Sequence, residues 1–214
     1  MAKKGNSKSS KFKYSHLLII AFHRLREIVQ FSSRNFDAPY PTFMKRRTLI
    51  SHSIPRATWI ETGTYMGSTS KYLANRFSKV VTIEPSDHFY QFSKSRLKRK
   101  KNVATLFGTS EEHFESALTQ ESGDLNIWLD GHFSEGGTFL GENLSPIVHE
   151  LEVISRNKSN FNSIRVFVDD VRLFQRDNGD QTGYPTFEFL LEWARNNEFI
   201  WEIQNDIFIA KYTN

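Results

Sequence analysis

From residue 57 onwards, short apolar runs alternate with amphipathic stretches, and this alternation most restricts what the chain can fold into. The runs at 80–83 and 125–129 are almost entirely apolar, as expected of parallel strands buried on both faces. The stretches between the runs have helical spacing and polar N-caps, such as Ser86 or Asp87. Repeated strand–helix units predict an α/β fold with a doubly wound, mostly parallel sheet.

The pattern predicts seven strands in all. They are placed at 57–62, 80–83, 103–107, 125–129, 165–168, 199–204 and 207–211. Asn205-Asp206 separates the last two and is typical of the turn of an antiparallel hairpin. Helices are predicted at 68–77, 87–99, 111–118, 146–155 and 186–196.

The first 56 residues differ in character from the rest. Residues 1–14 are rich in lysine, serine and glycine and predict a basic, disordered tail. Residues 15–56 are interpreted as an N-terminal helix, at 16–31, followed by an irregular, lid-like segment with three prolines. Residues 57–214 are then one ligand-binding domain, a size that suits 214 residues in total. The helix carries a continuous apolar stripe, which requires cover from the sheet, a partner subunit or a membrane surface.

Composition excludes several classes of protein. Without cysteine, the chain forms no disulfide, thiolate metal site or cysteine nucleophile. No apolar run approaches the length of a membrane span, and a cytoplasmic location is the default expectation. The formal net charge is +4, with five lysines in residues 1–16 and six basic residues in 94–101, so the remainder is acidic. Such basic segments are usually solvated, although they leave an RNA partner open.

Polar residues and glycines follow the predicted strands, at the edge where ligands bind in open α/β sheets. The first strand is followed by Glu61-Thr-Gly-Thr-Tyr-Met-Gly-Ser68, and the second ends on Glu84, which is placed to bind a ribose diol. The glycine spacing is not that of a dinucleotide site, which makes a nicotinamide-dependent reductase a distant alternative. A carboxylate beside the turn repels phosphate but suits a cationic ligand such as S-adenosylmethionine.

These residues resemble the first motif of the class I S-adenosylmethionine-dependent methyltransferases. The motif is most similar to that of the metal-dependent catechol and caffeoyl-coenzyme A O-methyltransferases. Asp130-Gly-His132 together with Asp169-Asp170 resembles the macrocin-type sugar O-methyltransferases. The resemblance covers about 57–212 and implies a Rossmann-like methyltransferase fold.

The resemblance also implies roles for individual residues. Glu61, Gly63, Thr64, Gly67, Ser68, Glu84, Thr109, Ser110 and Asp130 are expected to bind the cofactor. Asp130, Asp169 and Asp170 are expected to hold a divalent cation, for which oxygen ligands favour magnesium. The catechol type has a lysine base three residues after its first metal-binding Asp, where this chain has Phe133. His132 is therefore the predicted base, acting with Asp130.

The sequence as a whole predicts metal-assisted O-methylation of a small-molecule hydroxyl of the sugar or polyol type. The glycine-rich segment 134–142 is interpreted as a loop over the acceptor site. The alternatives are an RNA methyltransferase, supported only by the basic segments, and a cofactor-binding protein without activity. The acceptor remains open, as does the oligomeric state, with which a homodimer is compatible.

Overall fold

The computed structural model describes residues 21–130, 146–174 and 184–214. The strands are β1 Thr58–Thr62, β2 Val80–Glu84, β3 Val103–Phe107, β4 Gly123–Leu129, β5 Phe161–Val168, β6 Ile200–Gln204 and β7 Ile207–Thr213. Residues 21–33 are helical and are called α1. The other helices are α2 Thr42–His52, α3 Ser68–Ala74, α4 Asp87–Leu97, α5 Ser110–Thr119, α6 Ile147–Asn157 and α7 Phe187–Asn196.

The strands form one sheet in the order β3-β2-β1-β4-β5-β7-β6. All neighbours are parallel except β7, which is antiparallel to both β5 and β6. The predicted doubly wound sheet with its C-terminal hairpin is therefore confirmed. β5 begins at Phe161 rather than at the predicted 165. Its first four residues are buried, exposed, partly buried and buried in turn, so the sequence shows neither a continuous apolar run nor a regular alternation there.

Helices cover both faces of the sheet. On one face, α5, α6 and α7 pack on strand residues such as Ile60 and Ile127. On the other face, Trp59 stacks on Phe167 with ring centroids 5.4 Å apart, and α2 and α3 cover them. The two clusters account for the near-zero exposure of the central strands, which is what their apolar sequences predict.

Helix α2 lies in the segment that the sequence predicted to be irregular, so that prediction is wrong for residues 42–52. The helix begins after Pro41 and ends at His52, because the backbone of the next residue, Ser53, is extended. Only Thr48 and Leu49 are buried, which leaves no apolar stripe to read in the sequence. Asn205 in the β6–β7 turn donates to Thr48 Oγ1 over 2.8 Å and fixes α2 against the sheet.

Among the described residues, helix α1 contacts the rest of the protein through the side that carries Phe31 and Glu27. Phe31 is buried beside Tyr40, and Glu27 accepts a 2.7 Å hydrogen bond from Thr42. Apolar side chains on α1 with more than half of their surface exposed are Phe22, Leu25 and Val29. The sheet is therefore not what covers this stripe. Within the described ranges, no helix has both the length and the apolar character needed to cross a bilayer.

Candidate functional site

The carboxyl ends of the parallel strands lie level along one edge of the sheet. The chain order reverses between β1 and β4, and ligands of open α/β sheets bind at such a switch point. Backbone hydrogen bonds continue past the strand ends, from Asp130 N to Thr62 O over 3.1 Å and from Asp169 N to Leu129 O over 3.0 Å. The residues that follow β1, β4 and β5 therefore meet at this switch point, which we call the crevice.

The loop between β1 and α3 has the backbone that its glycines allow. Gly63 and Gly67 have φ of 80° and 67°, in the region that favours glycine. A Cβ on Gly67 would lie 3.1 Å from Ser93 Cβ, so a side chain at this position would also crowd α4. Thr64 Oγ1 lies 2.5 Å from Thr82 Oγ1 and ties the loop to β2. The loop is thus a fixed turn whose backbone borders the crevice.

Glu84 closes β2 directly opposite this loop. Its Oε2 accepts a 2.6 Å hydrogen bond from the backbone N–H of Tyr65, and its Oε1 accepts one of 3.0 Å from that of Ser86. Burial raises the pKa of Glu84, and the two backbone donors oppose that effect. A carboxylate has about four lone-pair positions, so two donors leave capacity for a ribose diol.

Glu61 lies beneath the loop. Its Oε2 accepts hydrogen bonds from Ser70 and, over 2.7 Å, from Thr82 Oγ1. Burial raises the pKa of Glu61 to about 7, although these hydroxyls and Arg46 oppose the shift. One of its carboxylate oxygens is therefore engaged in holding the loop on β2 and α3.

The predicted residues that follow β3, Thr109 and Ser110, lie at the N-terminus of α5. The Thr109 hydroxyl accepts a hydrogen bond from Glu112 N, and the Glu112 carboxylate accepts one from Thr109 N, which together form a capping box. Ser110 is buried in the first turn of α5. The Thr109 hydroxyl thus caps the N-terminus of α5, and any contact with a cofactor would be additional to this structural role.

Helix α2 brings two cations to the crevice, and the sequence analysis predicted neither of them. Arg46 donates to the hydroxyl of Ser68, in the first turn of α3, over 2.8 Å. Lys45 Nζ lies 2.6 Å from Asp169 Oδ1 and 2.6 Å from Asp170 Oδ1. Adjacent residues of one helix therefore contact the start of α3 and the aspartates that follow β5. The basic run 45–47 was the available signal, but nothing local in it indicates a site.

The aspartates after β4 and β5 form a buried acidic cluster. Asp170 has a left-handed backbone, with φ of 57°, and its N–H donates to Asp169 Oδ1 over 2.8 Å. Burial, and then the charge of Asp170, raises the pKa of Asp130 to about 8. Burial, and then Asp130 and Asp170, also raises the pKa of Asp169, which Lys45 opposes. The sequence predicted that these three residues converge, and the structure brings them together.

Within the part of the chain that the structure describes, the cations Lys45 and Arg172 are paired with this cluster. Burial alone lowers the pKa of an ammonium, but Asp169 and Asp170 overcome this effect and raise the pKa of Lys45. The raised pKa of Lys45 is that of an ionised Lys45–Asp169 pair, whereas the raised pKa of Asp169 is that of a neutral carboxyl group. Because Lys45 Nζ lies 2.6 Å from two carboxylate oxygens at once, the geometry favours the ionised pair. Arg172 donates to Asp170 over 2.6 Å and also pairs with Asp206 in the β6–β7 turn.

Two further residues of the crevice were not predicted. Glu150 of α6 is 1% exposed, and burial raises its pKa to about 7 against the nearby hydroxyls of Ser110 and Thr62. Its position within an apolar helix face, three residues after Ile147, was a signal in the sequence. Burial raises the pKa of Tyr184, and so do the nearby charges of Asp170, Asp130, Asp169 and Glu150, in that order. The phenol of Tyr184 therefore lies near the acidic cluster.

The magnesium prediction finds no support within the described residues. In that part of the chain, no group of three or more histidine and carboxylate side chains is arranged to hold a metal ion. The ammonium of Lys45 takes the place between Asp169 and Asp170. His132, the predicted base, and the 134–142 loop lie outside the described residues.

Comparison with known proteins places the fold. No family model and no curated protein matches the sequence. The structure is similar to an O-methyltransferase from Bacillus cereus in complex with S-adenosylhomocysteine (SAH), with a TM-score of 0.53 and 14% identity over 90% of this chain and 90% of that chain. The chain has a Rossmann-like methyltransferase fold. The N-methyltransferase NodS from Bradyrhizobium japonicum WM9 is also similar, with a TM-score of 0.53 and 11% identity over 79% of this chain and 94% of that chain.

Proposed function

We propose that this chain transfers a methyl group from S-adenosylmethionine to a hydroxyl of a small molecule of the sugar or polyol type. The observation that carries the proposal is the position of two buried carboxylates, Glu61 and Glu84, against the glycine loop at the switch point of a methyltransferase-like fold. Carboxylates repel a pyrophosphate. They suit a ligand with a sulfonium, an ammonium and a ribose diol, and no phosphate.

Each part of the cofactor has a matching group in the crevice. Glu84 is the ribose partner, because its carboxylate retains lone pairs beyond those used by Tyr65 and Ser86. The loop backbone at Gly63 and Thr64, together with the buried Glu61 beneath it, faces the methionine end. Thr109, Ser110 and Glu150 border the adenine end, where α5 begins beside α6.

The acceptor occupies the β4–β5 side of the crevice. Side chains that offer both donors and acceptors recognise hydroxyl groups, and this side has Lys45, Tyr184 and the aspartates. When bound, S-adenosylmethionine supplies a methyl group on its sulfonium. Asp130 would help to orient the acceptor hydroxyl toward that methyl group, and His132 would take the proton of the hydroxyl.

The residues as arranged do not fit a divalent cation, since Lys45 bridges the two oxygens that such an ion would take. Deprotonation of the acceptor therefore falls to the side chains. The RNA alternative gains no support either. Lys98, Arg99, Lys100 and Lys101 directly precede β3, at the sheet edge opposite the crevice. A polyanion bound there would not present a base to the crevice.

Calorimetry with SAH tests the cofactor assignment. We expect SAH to bind the full chain, and Glu84→Ala to weaken binding about tenfold to hundredfold, as for the loss of hydrogen bonds to a charged group. Glu115→Ala, on the exposed face of α5, is the matched control and is expected to bind normally. Unchanged SAH affinity in Glu84→Ala, or tighter binding of NADH than of SAH, would contradict the proposal. Methyl transfer from labelled cofactor to a panel of sugars and polyols, with EDTA present, tests the acceptor class.

A further inference from the structure

Lys45 makes the shortest described bridge between the N-terminal segment and the sheet edge. Its Nζ lies 2.6 Å from a carboxylate oxygen of each of two consecutive aspartates, Asp169 and Asp170. The side chains of Asp169 and Asp170 are buried, with 6% and 8% of their surfaces exposed, and that of Lys45 is partly buried, with 14% exposed. The partners are 124 and 125 residues apart in the sequence, so the contact depends on how α2 packs.

A cation in this position has the geometry of a metal ion. Mg²⁺ lies about 2.0–2.1 Å and Ca²⁺ about 2.3–2.6 Å from carboxylate oxygens, so an ion bridging Asp169 and Asp170 would occupy nearly the same point as the ammonium nitrogen. The two cations cannot share that point, and each repels the other. The Asp169–Asp170 pair is further fixed by the left-handed backbone at Asp170 and by Arg172, which donates to the same Asp170 oxygen.

An ammonium group has three N–H donors, and two of them are used by the aspartates. No other described residue accepts from Lys45. As far as the described residues go, the third donor is left for an oxygen atom on the side of Asp130, which follows β4 and interacts electrostatically with Lys45.

We infer that Lys45 is the resident cation of the acceptor side, standing where a divalent metal would stand and binding the acceptor hydroxyl through its third N–H. This inference rests on the proposed function for the identity of the acceptor, but the exclusion of metal does not. A methyltransferase built in this way works in the presence of a chelator, and its acceptor is held by an ammonium of fixed position.

A Mn²⁺ titration of the full chain, followed by electron paramagnetic resonance of the free ion, tests the inference. We expect the wild type to show no stoichiometric Mn²⁺ binding in the micromolar range. Lys45→Met removes one positive charge from two buried carboxylates, so Mn²⁺ affinity is expected to rise about tenfold or more. Lys45→Arg keeps the charge and is expected to behave like the wild type. Lys101→Met, at an exposed position, controls for net charge.

Micromolar Mn²⁺ binding to the wild type would overturn the inference, as would a folded Lys45→Met that gains no Mn²⁺ affinity and melts like the wild type. If Lys45→Met does not fold, the wild-type titration and the behaviour of Lys45→Arg decide the matter. SAH binding, measured in parallel with EDTA, separates the two proposals. Its absence would defeat the proposed function and leave the Mn²⁺ result standing.

Discussion

Buried carboxylates on the two sides of the crevice are stabilised in different ways. On the β1–β2 side, Glu61 and Glu84 accept hydrogen bonds mainly from neutral donors, which are hydroxyls and backbone N–H groups. On the β5 side, Asp169 and Asp170 accept from the cations Lys45 and Arg172. Neutral donors hold a carboxylate without cancelling its charge, whereas cations cancel it. The first side therefore suits a cationic ligand, and the second suits a neutral, hydroxyl-bearing one.

Among the residues of the crevice, the largest effect is expected where a cation is removed from the β5 side. Arg172→Met leaves the carboxylates of Asp170 and Asp206, with 8% and 5% of their side-chain surfaces exposed, without one partner. Since Arg172 is itself a third exposed, we expect a loss of about 3 kcal/mol in the free energy of unfolding, at the low end for buried ion pairs. Urea denaturation measures this loss.

The control for this variant is an exposed ion pair. Arg156→Met breaks the contact with Glu115, in which both side chains are about half exposed, and is expected to cost less than about 0.5 kcal/mol. Equal losses in the two variants would show that charge pairing is no more important on the β5 side than at the surface, and the comparison between the two sides would fail.

A smaller effect is expected from pH on the side with neutral donors. The pKa of Glu150 is raised from its ordinary value of 4.5 to about 7 by burial. Between these values the unfolded chain releases a proton that the folded chain retains, so rising pH favours unfolding. The free energy of unfolding of the wild type therefore falls as the pH rises from 4.5 to 7.5. We expect this fall to be about 2 kcal/mol smaller in Glu150→Gln.

Chemical denaturation at both pH values, on the wild type and Glu150→Gln, measures the difference that belongs to this residue. Glu61 and Asp130, whose pKa values are also raised, titrate in the same direction in both proteins and cancel from that difference. Glu152→Gln, at an exposed position of the same helix, is the matched control. A pH dependence that is identical in Glu150→Gln and the wild type would show that this carboxyl is ionised in the folded protein.

The smallest effect is expected in α1, which belongs to neither side. Leu25 is 60% exposed, so Leu25→Asp is expected to change the free energy of unfolding by less than about 0.5 kcal/mol. Leu49→Ala in α2, where the side chain is 1% exposed, is expected to cost about 2–5 kcal/mol. Thermal melts of both variants compare the two helices. A large loss in Leu25→Asp would mean that the apolar stripe of α1 is covered in solution.

Much of the fold was predictable because its signals are local. Buried parallel strands require continuous apolar runs, and the runs at 80–83 and 125–129 became β2 and β4. The Asn205-Asp206 turn was also predictable, since both residues adopt the positive φ that such a hairpin requires. Helix α2 was missed because a short helix that buries only Thr48 and Leu49 has no apolar period to detect.

The sequence by itself determined which residues stand at the strand ends. Parallel strands place their carboxyl ends on one edge, so Gly63, Glu84, Asp130 and Asp169 had to meet there once the strands were recognised. Only the tertiary structure decided what neutralises the aspartates. Lys45 reaches them from 124 residues away because α2 packs on the sheet beside the β6–β7 turn. A charge has no periodicity, and its partner is set by packing between elements that are distant in the chain.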